Sequence, residues 1–278
     1  MFKRREMAPF KKIKSLFLRF ERFITSKRQR LVISVFILSF LLFLIEHFLG
    51  KLAFYVMFVL AVFTDVLLFL SLRKDLKDNF SWQIFILPFF FSLAFGLFYL
   101  LAPGRLLTRL VMTSLYAIGL YSLFLSENIF TVSSMRTIAL LSGARTVAFT
   151  ITLVSFFFLS NVVFSLHLNV VVTLGLIFAF TFPLILQSLW MHTLEKKLSS
   201  EISWVLFLTA CLFELSVLLW FWPSTPTLIA LFLTGVFYTI VGISQVWFDK
   251  RLFKAVIWEY VLVSIIVFTV LVLYTPWS

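Results

Sequence analysis

The chain has 278 residues, of which 62% are hydrophobic and only 13% charged, with a mean hydropathy of +1.08. So few charges cannot keep so apolar a chain in water, which excludes a soluble enzyme or binding domain and makes lipid the solvent. The formal charge of +12 raises nucleic acid as a partner, but no recognition motif accompanies it and none is expected.

The first 30 residues hold 11 of the basic side chains and two acids, too charged for a signal peptide, and no small-x-small cleavage site follows the next apolar run. From Pro9 to Thr25, Phe10, Ile13, Phe17, Phe20 and Ile24 recur at the spacing of one helical face. Lys11, Lys12, Lys14, Arg19 and Arg22 take the other. This pattern predicts a basic amphipathic helix lying on the anionic lipids of the inner leaflet, within a cytoplasmic segment spanning residues 1–30.

Residues 31–278 then read as a single transmembrane domain, an all-α bundle. A hydrocarbon core about 30 Å thick needs about 20 helical residues. Nine runs meet that length: Leu31 to Leu49, Leu52 to Leu72, Trp82 to Leu101, Leu106 to Leu125, Val147 to Leu166, Leu168 to Trp190, Ile202 to Phe221, Thr227 to Trp247 and Ala255 to Leu273.

The basic residues alternate as nine real spans require. With the N-terminus inside, the inner segments hold 21 of the 24, and the outer side keeps only Lys51, Arg105 and Arg109. A C-terminus outside and a cell membrane, bacterial inner membrane above all, are the expectation. Tryptophan agrees, with Trp82, Trp190, Trp204, Trp247 and Trp258 at inner ends and Trp220, Trp222 and Trp277 at outer ends.

The longest loop, Ser126 to Thr146, is expected at the inner interface, with Ser133 capping a short helix through Leu141 and Gly143 just past its end. Pro88 and Pro183 are expected to kink the third and sixth spans. No residues beyond these two prolines recur between the halves, so an inverted repeat is not expected.

Ionisable groups inside spans are costly and are the default candidates for a site. Counting from span ends, Glu46, Arg109 and Glu214 fall at similar depth in the outer half, with His47 nearby and Asp65 deeper. They predict a polar pocket among the first, fourth and seventh helices. Arg109 would pair with Glu214 or Glu46, or bind an anionic group. The plainer alternative is an ion pair that locks the bundle.

His167 is expected to hydrogen-bond within a turn, and Gln187 to serve close helix packing. One cysteine, Cys211, allows no intrachain disulfide or cysteine cluster. No phosphate loop, zinc helix, nucleophile elbow or Cys-x-x-Cys is present, so neither a cofactor nor a metal is expected.

The stretch Ser126-Glu127-Asn128-Ile129-Phe130-Thr131-Val132, continuing through Met135-Arg136-Thr137-Ile138, resembles a loop of uncharacterised polytopic membrane proteins of bacteria. The resemblance implies a multi-pass fold and transfers no site. Three function classes fit: a transporter, foremost; an accessory or scaffold subunit of an envelope complex; and an enzyme on a lipid-linked substrate, using Glu46, His47 and Arg109. The implied partners are membrane lipids, with a second copy or another membrane protein open.

Overall fold

The computed structural model describes residues 26–48, 52–76, 81–101, 105–133, 140–194 and 202–276. The predicted surface helix from Pro9 to Thr25 lies outside the described residues. Among those described, nine helices are long and apolar enough to cross a membrane, the number read from the sequence. They are α1 (Lys27–Phe48), α2 (Ala53–Leu76), α3 (Ile86–Leu101), α4 (Leu106–Ser133), α5 (Leu141–Ser165), α6 (Val170–Thr193), α7 (Ile202–Trp220), α8 (Pro226–Phe248) and α9 (Lys254–Tyr274).

Side-chain bonds between helices show an up-and-down threading. Ser34, early in α1, meets Ser71, late in α2, at 3.3 Å. Asn161 near the end of α5 donates to Thr227 at the start of α8 at 3.0 Å. The bundle therefore has a basic end, carrying Arg28, Arg73, Arg145, Lys250 and Lys254, and a far end that carries Arg105 and Arg109.

Helix α5 is central, packing on α3, α4, α6 and α8, whereas α7 leans on α6 and α8, and α9 chiefly on α8. Without a hydrophobic drive between helices in lipid, close approach depends on small residues. A Cβ on Gly96 would come within 2.6 Å of the Met57 sulfur, and one on Gly235 within 2.8 Å of Val267. Gly242 leaves the same kind of room for the Tyr260 ring. The two α8 glycines thus seat α9, helped by the hydroxyls of Thr239 and Ser264 at 2.9 Å.

Three local expectations change. The fourth span does not stop at Leu125: α4 runs on to Ser133 because Leu120, Leu123, Phe124, Phe130 and Thr131 continue one buried face past it. Ser133 is the last residue of that helix, the short helix expected after it falls mostly on residues outside those described, and Gly143 lies in the first turn of α5. Pro88 does not kink α3. A 3-10 turn, Trp82–Phe85, precedes it, and Pro88 falls in the first turn of α3, where its missing N–H deprives no helical carbonyl. Pro183 is inside α6 as expected.

The aromatic belt holds at Trp82, Trp204, Trp247 and Trp258, all exposed near the basic end. Trp190 departs from it. Its ring is 1% exposed and packs edge-on to Phe130, so it belongs to the core.

Candidate functional site

The residues expected to share an outer pocket are dispersed in part. Glu214 is exposed on α7, a helix seated on α6 and α8, whereas Arg109 is half-buried in the first turn of α4, which packs along α1, α3 and α5. The structure therefore does not join Glu214 to Arg109 through packed helices. Glu46 and His47 are in the last turn of α1, and their side chains fall outside the described residues. Asp65 is half-buried midway along α2.

What α4 brings inward is a single face. Arg109, Thr113, Tyr116, Leu120, Glu127 and Thr131 recur at helical spacing along it, so the arginine and the glutamate mark the two ends of one stripe. Near its middle, a buried chain of hydroxyls crosses three helices. Thr64 of α2 and Ser92 of α3 are 2.9 Å apart, and Ser92 and Tyr116 of α4 are again 2.9 Å apart. Asp65 follows Thr64 directly, and its buried Oδ1 has no hydrogen-bond partner among the described residues.

Toward the basic end the stripe reaches Glu127, which is 0% exposed. Gln187 of α6, equally buried, donates from Nε2 to Glu127 Oε1 at 3.1 Å. The Phe130 and Trp190 rings also meet between α4 and α6, and the 3-10 turn touches α3, α4 and α6 with Gln83 and Ile84 buried. One turn on from Gln187, Met191 and His192 receive the Arg145 guanidinium of α5 on their backbone carbonyls, both at 2.9 Å. These carbonyls are at the end of α6, where a cation complements the helix dipole. Asp249 completes the clamp, accepting from His192 Nδ1 at 3.1 Å and lying 3.6 Å from Arg145.

Sequence reasoning missed Glu127, because an acid flanked by Ser126 and Asn128 reads as a loop when hydropathy decides span ends. The available signal was periodicity. Glu127 lies about five turns from Arg109 on the face already marked by Tyr116. Gln187 serves more than close packing, since it is the hydrogen-bond partner of the buried acid.

At the far end a hollow of about 630 Å³ opens between two turns, lined by Phe164, His167, Thr173, Trp220, Trp222 and Ser224 among others. His167 has φ 46° and its Nδ1 is 2.9 Å from the Ser165 carbonyl, the turn role expected of it. Trp222 donates to the Thr275 hydroxyl at 2.9 Å, which ties the α7–α8 turn to the end of α9.

The nine apolar helices of spanning length among the described residues, with many of their polar groups buried in the bundle, are those of a multi-pass helical membrane protein. The chain belongs to the family described as "Protein of unknown function (DUF5656)", which it matches over residues 52–274. That range includes the stretch from Ser126 to Ile138 noted above. No curated protein and no solved structure matches the chain.

Proposed function

We propose that the protein is a transporter whose polar path runs through the bundle along the inner face of α4. The observation that carries this reading is Glu127, an acid sealed inside a membrane bundle. An unpaired charge buried away from water is costly, about 3 kcal/mol or more at the bilayer centre, and acids inside membrane bundles are retained where ions or substrates pass. The hydroxyl chain of Thr64, Ser92 and Tyr116 extends the polar lining, and Asp65 follows Thr64 on α2. Arg109 and the outer-half pocket expected around Glu46 and His47 would form its far mouth.

A carrier must open toward each side in turn, so its two ends must each occupy two positions. Spin labels replacing Leu107 and Val171, both exposed at the far end, report that opening as a pair distance. Two distance populations whose ratio shifts with pH or sodium support the carrier. A single narrow distance under all conditions rejects it.

Glu214 favours a second reading, that of an accessory or scaffold subunit. An acid on the membrane-facing side of α7 is costly unless a partner helix meets it, and Cys211 is exposed one turn away. A thiol crosslinker that captures a second copy through Cys211, and loses it in Glu214→Leu, would support that reading; no capture in native membranes counts against it.

A further inference from the structure

Two hydrogen-bonded side chains in the interior of the bundle each keep an oxygen without a donor among the described residues. Glu127 Oε2 and Gln187 Oε1 are both buried and neither has a hydrogen-bond partner among the described residues. The Gln187 amide nitrogen is already committed to Glu127 Oε1 at 3.1 Å. Two cations of the basic end are engaged elsewhere. Arg28 of α1 donates to the Tyr121 hydroxyl at 3.3 Å, and Arg145 of α5 is held by Met191, His192 and Asp249. Among the described residues no Lys, Arg or His is paired with Glu127.

A lone carboxylate in hydrocarbon is not sustainable, and oxygens that only accept are satisfied by a positive ligand. We propose that Glu127 and Gln187 form a site for one small monovalent cation, a proton or a sodium ion, held between α4 and α6 inside the membrane. One carboxylate balances one positive charge. A divalent ion requires more anionic oxygens, and among the described residues no three His, Cys, Asp or Glu side chains come together. The site names the coupling ion of the transporter proposed above and rests on that reading for its purpose.

The test uses the purified full chain in nanodiscs. Infrared spectra recorded as pH is stepped follow the carboxylic C=O stretch, and binding of radiolabelled sodium is measured in parallel. A carboxylic band that titrates and is lost in Glu127→Gln assigns the ligand as a proton. Saturable sodium binding that protons displace and Glu127→Gln abolishes assigns it as sodium. Gln187→Leu serves as the second variant, keeping the acid but removing its amide partner; it is expected to weaken sodium about tenfold, the loss of one polar partner, and to move a titrating carboxylic band to higher pH, since the Gln187 N–H favours the ionised acid. An ionised Glu127 at every pH, with no sodium bound, overturns the proposal, as does binding indifferent to both substitutions. A cation bound without two-state opening of the spin-labelled far end keeps the site and removes the carrier; two-state opening without a cation does the reverse.

Discussion

Gln187 of α6 donates to Glu127 of α4 across 3.1 Å, one turn from the place where the Phe130 and Trp190 rings of the same two helices meet. The two bonded side chains are both 0% exposed, so whatever happens to one is felt by the other without dilution by solvent.

Replacing the acid separates charge from hydrogen bonding. Glu127→Gln keeps an oxygen acceptor for Gln187 and removes a buried charge, so thermal stability in detergent is expected to stay level or rise. Glu127→Leu strands the Gln187 amide and is expected to cost about 1–3 kcal/mol. Melting curves that rank the two variants in the opposite order would contradict this account of the pair.

The clamp at the basic end predicts an asymmetry. Arg145→Ala removes two hydrogen bonds from a charged group to carbonyls at the end of α6, expected to cost about 2–3 kcal/mol and to lower the melting temperature clearly. Asp249→Asn loses a partly exposed ion pair at 3.6 Å and should cost well under half as much, since screened pairs contribute little. Equal losses in the two variants would show that the ion pair, not the helix end, matters.

Helix α9 should be separable from the rest. Gly242→Val places methyl groups where the Tyr260 ring sits, and overpacking of this kind typically costs about 1–3 kcal/mol. Cysteines replacing Thr239 and Ser264, whose hydroxyls are 2.9 Å apart, are expected to form a disulfide in the native background and to lose it in Gly242→Val. A disulfide formed equally well in both would contradict the seating of α9 on the α8 glycines.

Most of the fold was legible because the membrane simplifies it. Spanning length, the alternation of basic residues and the tryptophans each depend on local composition, and the nine helices follow. What was not legible depended on which face of a helix turns inward. Glu127 lowers local hydropathy whether it lies in a loop or in a buried stripe, and only the continuation through Phe130 and Thr131 separates the two cases. Glu214 illustrates the converse: counting from a span end gives a depth but not an azimuth, and the residue is exposed on α7. Trp190 shows the same ambiguity, since an aromatic at a helix end fits both a headgroup belt and a core.

The orientation read from the charges is a further prediction. Reporters inserted beside Lys250 should stay on the cytoplasmic side and reporters beside Ser224 should be exported. The reverse pattern would invert the bundle and place Glu127 near the outer leaflet.

The most direct test of the carrier account asks whether the buried stripe is reached from both sides of the membrane. In a Cys211→Ser background, single cysteines at Ser92 and Ser188, both 0% exposed, are treated in sealed vesicles with a membrane-impermeant thiol reagent. The account predicts labelling of Ser188→Cys from the basic end and of Ser92→Cys from the far end, each protected when the opposite state is favoured by pH or sodium. Absence of labelling at both positions from either side, in a folded protein, would contradict it.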